Sequence, residues 1–421
     1  MSDLEVVVTG LGFITCLGSD KGSVLKNLQE MKSGIDIYPP FIEDPLVSVS
    51  LLGAVKGFDT LSADPEDWNY PSKYKLGRSI LRGLSPHVLY SYCSMAQAIE
   101  DAGLSSDEIS NVNTGLFSAS AGSSSTLTKN VNRLHALGPD KSSPKGVVSS
   151  VTGTINFNLV SIFKILGSSC GFASACASSG HALGMACDEI KMGRQDRMFV
   201  IGAEDGNGDC ILPFTSMRAL TTNPDPHSGS RPFDINRDGF VGTGGAVTLI
   251  LERRSVAEAR NAKIYASFKG WGMSSDGYNT VLPEPTGNGL ERAILNALKS
   301  AGVRSDQVDY INAHAPSTQI GDRAEMTALK SIFAKGSCPA ISSTKSLTGH
   351  GLSLASALEA GLSLLAMENG FCPGSANIQS LDPVAENLNI ISENVPSDPK
   401  MILSNSSGFG GANVALLFEK E

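Results

Sequence analysis

A chain of 421 residues exceeds what one small core needs, and at roughly 100 to 200 residues per domain it predicts two domains or one duplicated unit. Its 41% hydrophobic and 18% charged residues are the balance of a soluble globular protein, and a net charge of -9 with both signs mixed along the chain argues against a nucleic-acid partner. The opening MSDLEVVVTG lacks the basic and apolar stretches of a secretory leader, and no run of about 18 apolar residues follows, so a cytoplasmic protein without a membrane span is expected.

In chain order, VVVTGLGFITCLG (6–18) predicts a buried strand running into a glycine turn. A dinucleotide-binding GxGxxG would need glycine where Thr15 stands, which disfavours an NAD(P)-dependent oxidoreductase. The region 36–72, rich in Pro, Asp and Ser, reads as a surface excursion, and GPDKSSPKG (138–146) as a loop. A helix near 88–103, a strand near 112–118, a helix after Cys176 and the strand RMFVIGAE (197–204) make an α/β alternation. Beyond the charged LERRSVAEAR a second set follows: a strand at 263–270, a helix near 288–302, the strand VDYINAH (308–314), a helix near 321–334 and the strand ILSNSS (402–407). The second half repeats the style of the first, which predicts halves at 1–255 and 256–421. SGHALGMA (179–186) and TGHGLSLA (348–355) share Gly, His, Leu and Ala at matching places, read as a trace of duplication.

The eight cysteines form no CxxC pair, so neither a disulfide framework nor a zinc site is expected, and seven read as small buried hydrophobes. Cys176 differs. It stands in GFASACASSGHALGMAC, just ahead of a helix in which Leu183, Ala186, Cys187 and Ile190 recur at i, i+3, i+4 and i+7. The positive end of that helix favours a thiolate, and Ala175, Ala177, Ser178 and Ser179 would let a long substrate approach the sulfur; a structural cysteine in a tight helix contact is the other reading. Of the six histidines, His87 and His135 read as solvated, His227 as a loop residue and His181 as a packing residue. His314 in INAHAPST and His350 in SSTKSLTGHGLS, five residues after Lys345, remain as partners for a nucleophile.

Cys176, His314, Lys345, His350 and the loop SSGFGG (406–411), in that order and with the flanks SACASS, MRALTTNPDPHSGSRPFDINRDGFV (217–241), NAH, STKSLTGH and GFGGAN, resemble the β-ketoacyl synthase family of condensing enzymes. The resemblance covers nearly the whole chain. It implies an α/β thiolase-like fold, duplicated in five αβαβα layers, most like the elongating type I and II synthases, and a decarboxylative condensation of a malonyl thioester with an acyl chain held on Cys176. His314 and His350 would donate N–H groups to the enolate, Lys345 would orient a histidine, and Glu359 would support them. The backbone N–H groups of Cys176 and Phe409 would form the oxyanion hole, with Gly408 and Gly410 beside the gate residue Phe409. No cofactor is implied beyond the phosphopantetheine arm that enters with an acyl carrier protein; Thr318 would bond that arm, and Arg218, with Arg78 and Arg82 as neighbours, would meet the carrier. A homodimer is implied, with a heterodimer of related subunits as an alternative, and neither a metal, a membrane nor nucleic acid. A non-catalytic chain-length subunit, the alternative function, would ordinarily lack the cysteine that is present here.

The chain also departs from the family pattern. Ala315, Pro316, Ser317 and Thr318 stand where Gly-Thr-Ser-Thr is usual, Ser407 replaces the first aromatic of Phe-Gly-Phe, and Gly244 stands where an acidic residue is common. Ala121 occupies the place of a pocket-limiting side chain that is larger in type II synthases. These changes point to a specialised acyl or polyene chain.

Overall fold

The computed structural model describes residues 5–334, 336 and 338–421. Its main sheet has ten strands: β1 (Val6–Ile14), β2 (Thr114–Ala119), β3 (Ser169–Phe172), β4 (Arg197–Glu204), β5 (Gly245–Arg253), β6 (Ala266–Ser275), β7 (Tyr310–Asn312), β8 (Ala340–Ser342), β9 (Met401–Gly408) and β10 (Ala412–Lys420). In space they run β8-β7-β9-β10-β6-β1-β5-β4-β2-β3. The halves read 1-5-4-2-3 and 6-10-9-7-8, so adding five to each label turns one into the other. The directions match as well. β1–β5 and β5–β4 are antiparallel and β4–β2 and β2–β3 parallel; β6–β10 and β10–β9 are antiparallel and β9–β7 and β7–β8 parallel. Among the described residues, Val7 with Ser267 and Val8 with Ala266 are the paired positions that join the two runs.

Six helices complete the repeat: α1 (Pro86–Ala102), α2 (Thr154–Phe163), α3 (Ser178–Lys191), α4 (Asn288–Ala301), α5 (Gln319–Phe333) and α6 (Ala355–Glu368). α1 packs on the outer face of the first half and α4 on that of the second, while α3 and α6 lie between the halves and touch strands of both. This layering explains the residue patterns. All nine residues of β1 are buried because helices cover both faces of the strand, and every residue of α6 but Glu368 is buried because the helix has sheet on two sides. The predicted strand RMFVIGAE is β4 residue for residue, and Leu183, Ala186, Cys187 and Ile190 form the buried face of α3.

The middle layer demands small residues. A Cβ on Gly184 would stand 2.2 Å from the Trp271 ring, and one on Gly180 would stand 2.5 Å from Val414. Gly184→Ala is therefore expected to lower stability by about 1–3 kcal/mol, the usual cost of overpacking, seen as a lower urea midpoint with an unchanged m-value.

Several expectations are corrected. The octapeptides 179–186 and 348–355 are not equivalent, because the first lies inside α3 whereas the second ends where α6 begins. The duplication is carried by strand order instead. The excursion 36–72 is not merely superficial: Phe41, Val49 and Leu52 are buried in a cluster that includes Cys176. His87 is not solvated but fully buried near the start of α1, with Nδ1 3.2 Å from the Ser85 hydroxyl, and burial pushes its pKa down to about 3. Cys170 is exposed and Cys210 and Cys338 half-buried, unlike the other structural cysteines. Among the described residues no helix is long and apolar enough to cross a membrane.

Candidate active site

Cys176 sits on a tight elbow between β3 and α3. Ala175, immediately before it, has φ 51°, a left-handed conformation that costs a residue with a Cβ on the order of 1 kcal/mol and persists only when its surroundings impose it. The serines impose it. The Ser178 hydroxyl donates to the Ala175 carbonyl at 2.5 Å and accepts from the Ser174 N–H at 2.8 Å, while the Ser174 hydroxyl pairs with His181 Nδ1 at 2.7 Å. Ser179 accepts the Ala357 N–H of α6 at 3.0 Å. Of residues 175–179 only Cys176 lines the neighbouring cavity. The small residues thus shape the elbow and the contact between α3 and α6, rather than opening the way for a long substrate to the sulfur.

Two other loops bring the histidines to the sulfur. His314 follows β7, and its backbone is held by Glu325 of α5: Oε1 accepts the His314 N–H at 2.7 Å and Oε2 the Ala315 N–H at 2.6 Å, while Asn405 Nδ2 donates to Oε1 at 2.6 Å. His350 donates its N–H to the Val241 carbonyl at 2.7 Å and accepts the Thr243 N–H at 3.1 Å, and its ring stands edge-on to Phe240. The two imidazoles lie 5.1 Å apart at 85°, and His350 Nε2 is 3.0 Å from Cys176 Sγ. All three side chains line a cavity of about 450 Å³ shared with Arg218, Pro316, Thr318, Gly408 and Phe409.

The glycine loop reaches the nucleophile by lacking a side chain. A Cβ on Gly408 would stand 2.9 Å from the Cys176 nitrogen, so glycine lets the loop backbone close on that N–H. Gly410, at φ 76°, turns the loop and donates to the Thr280 carbonyl at 2.8 Å; it does not line the cavity. Phe409 is 37% exposed and packs against Phe214.

Burial pushes the Cys176 thiol up to about 12; Lys345 opposes this, and Glu204 and Glu359 add to it. Burial thus works against the thiolate expected at Cys176. The start of α3 lies two residues further on, and a helix terminus contributes at most about 2 kcal/mol, too little to offset full desolvation. Burial and then Lys345 hold both histidines well below the usual imidazole range, with His350 adding to the effect on His314. A neutral thiol therefore faces neutral imidazoles. Lys345 is buried in an ion pair with Glu359, whose carboxyl is pushed up to about 7 by burial despite that partner. Iodoacetamide alkylation of Cys176 is expected to accelerate by about tenfold per pH unit through pH 9, following the thiolate fraction; a plateau below pH 8 would contradict it.

Two family models match the chain: the β-ketoacyl synthase N-terminal domain over residues 3–257 and the β-ketoacyl synthase C-terminal domain over residues 265–379. The chain belongs to the β-ketoacyl synthase family. It is 38% identical over 422 residues to 3-oxoacyl-[acyl-carrier-protein] synthase 1 of Haemophilus influenzae, covering 99% of each chain. The fold is that of a β-ketoacyl synthase from Burkholderia phymatum, with a TM-score of 0.90 at 31% identity and 99% of each chain covered. It is also that of a type II polyketide ketosynthase solved in complex with its acyl-carrier protein and bound to a hexaketide, with a TM-score of 0.89 at 26% identity and 99% of each chain covered. This β-ketoacyl synthase accordingly has the thiolase-like fold, a condensing-enzyme architecture of the acyltransferase class.

Other expected site residues fall in different places in this synthase. Thr318 lines the cavity as the cap of α5, its N–H donating to Asp322 at 3.0 Å, while Arg237, fully buried, donates to the Thr318 and Gln319 carbonyls at 2.9 Å each. Pro316 lines the cavity too, and the buried Ser317, at φ 79°, accepts the Arg231 N–H at 3.1 Å. Arg218 is a cavity residue, but Arg78 and Arg82 are not; both pair with Glu66, and Arg82 borders a second hollow of about 420 Å³ with Lys129, Arg133 and Lys141. Ala121 is exposed and outside the cavity, with its N–H donating to the buried Glu204 carboxylate. Gly244 has no room for the acidic residue common there, since a Cβ would lie 2.1 Å from Gly206.

Glu325, Arg237 and Phe240 went unsuspected in the sequence. The signal for Glu325 was there: it lies on the apolar face of α5 with Ala324, Ala328 and Leu329, where a carboxylate needs buried donors.

Proposed function

We propose that this β-ketoacyl synthase lengthens an acyl chain by two carbons, holding the chain as a thioester on Cys176 and drawing the carbons from a malonyl thioester on an acyl carrier protein. The observation that carries the reading is the contact of His350 Nε2 with Cys176 Sγ at 3.0 Å, with the His314 ring at right angles beside it. As the sulfur attacks the incoming thioester, neutral His350 takes the thiol proton and returns it to the departing phosphopantetheine thiolate. Acyl-Cys176 forms and the carrier thiol leaves.

Malonyl thioester then enters the same cavity. Its carboxylate departs as carbon dioxide, and the bonding pair moves onto the α-carbon and thioester oxygen as an enolate. Stabilising that oxyanion calls for hydrogen-bond donors, and two neutral imidazoles supply N–H groups there. Lys345 helps keep both rings neutral. The enolate carbon attacks acyl-Cys176, the new oxyanion rests on the Cys176 and Phe409 N–H groups, and collapse releases a Cys176 thiolate that regains a proton from solvent. Gly408 serves this step by bringing the loop backbone against Cys176.

Thr318 and the cavity wall hold the pantetheine arm, and Arg218 at the cavity meets the acidic carrier. A second copy pairs on β3, which lies exposed at the end of the sheet. The exposed Phe157, Leu166 and the Leu127, Val131 and Leu134 face of helix Ser124–Leu137 support that placement. The small side chain of Ala121, where type II synthases carry a larger one, favours a specialised chain.

Incubation with acyl carrier proteins bearing different chains, followed by mass analysis of the Cys176 peptide, tests the reading. An adduct equal to one acyl group is expected. No adduct with any chain, together with no malonyl decarboxylation, would overturn it.

A further inference from the structure

Sequence spacing suggests no metal site, yet the fold carries Cys176, His314 and His350 from three separate loops to one point. One sulfur and two ring nitrogens there lie within 4.8 Å of one another, all buried; among the described residues no other three His, Cys, Asp or Glu side chains converge in this way. We infer that the unacylated site also binds a thiophilic divalent cation, Zn²⁺ foremost, through these three side chains, and that metal and acyl group exclude each other on Cys176.

The chemistry of the donors selects the ion. A thiolate and two neutral imidazoles suit zinc, whereas magnesium and calcium seek the oxygen ligands that this set lacks. Tetrahedral zinc, with bonds of about 2.3 Å to sulfur and about 2.0 Å to nitrogen, holds its ligand atoms roughly 3.3 to 3.6 Å apart. The present separations, 3.0 Å between Cys176 and His350 and at most 4.8 Å overall, bracket that range, so side-chain adjustments of about 1 Å suffice. The fourth position faces the 450 Å³ cavity, which supplies the entry path and room for a water. Lys345 repels a cation, but its charge is already paired with the buried Glu359 carboxylate. On binding, the S–H bond breaks, a Zn–S bond forms and the proton passes to solvent; no electron is transferred. Zinc on the sulfur withdraws electron density from it and fills the space between Cys176 and the two rings that a thioester carbonyl must reach, and acyl-sulfur is too poor a donor to keep the metal.

The competition rests on the acyl-enzyme reading above, whereas the metal binding rests on geometry alone. Cobalt(II) titration of the full chain, followed by the thiolate-to-cobalt absorption in the near ultraviolet, tests it. One equivalent is expected to give the band, Zn²⁺ to displace it, and His314→Ala or His350→Ala to weaken binding by at least about tenfold. Cys176→Ala, and wild-type protein first blocked with iodoacetamide, should give no band; the blocked protein covers the case in which the variant fails to fold. Zn²⁺ should also stop acylation of Cys176, with full recovery on adding a chelator. Absence of the band, or its survival in the blocked protein, overturns the metal site even if acylation proceeds normally. A Cys176-dependent band in a protein that no carrier acylates would instead overturn the acyl-enzyme reading and leave the metal site standing.

Discussion

Cys176→Ala is expected to abolish condensation, with a loss on the order of 10⁴-fold or more, the scale seen when a covalent nucleophile is removed. The fold should survive, because the elbow is held by Ser174, Ser178 and His181 rather than by the sulfur. The more informative variant is Cys176→Gln. It removes the nucleophile while leaving both imidazoles in place, so malonyl decarboxylation should continue without chain elongation. Measuring carbon dioxide release beside product formation separates the two steps, and a Cys176→Gln protein that lost both equally would show that the sulfur is needed for decarboxylation too.

Removing either histidine should slow decarboxylation by about 10²–10³-fold, the cost of deleting one donor from an oxyanion site. The two variants should differ in the other half-reaction. His350→Ala takes away the only imidazole within hydrogen-bond distance of Sγ among the described residues, so acylation of Cys176 falls as well; His314→Ala should leave acylation near the wild-type rate. Single-turnover acylation followed by mass analysis, with decarboxylation measured separately, checks the split. Equal effects on both half-reactions from both variants would contradict the division of labour. The double variant should cost less than the product of the single losses, since the two donors serve one oxygen.

Much of this was legible in the chain, though unevenly. β4 and the buried face of α3 could be read because side-chain periodicity is a local property: neighbours in sequence alternate or wind by fixed geometry. His87 could not. Its polar flanks suggest solvent, but the first turn of α1 lies beneath other elements, and burial by remote residues leaves no mark on the local pattern. The pairing of Arg78 and Arg82 with Glu66, from another loop, was hidden for a similar reason.

The small residues around Cys176 show the limit most clearly. In sequence, Ala177, Ser178 and Ser179 look like room left for a substrate. In the fold they are fully buried, and the room they leave is taken by α6 and by the elbow's own hydrogen bonds.

The sequence by itself determined which side chains could react and the α/β alternation that carries them, because residue chemistry and short-range periodicity are properties of the chain alone. Only the tertiary structure decided that Cys176, His314 and His350 meet, that the thiol rests protonated between neutral rings, and that Glu325 and Gly408 hold the loops in place. Those outcomes depend on desolvation and on contacts between separate loops, from Glu325 with His314 eleven residues apart to His350 with Cys176 at 174, and these exist only once the chain has folded around α3 and α6.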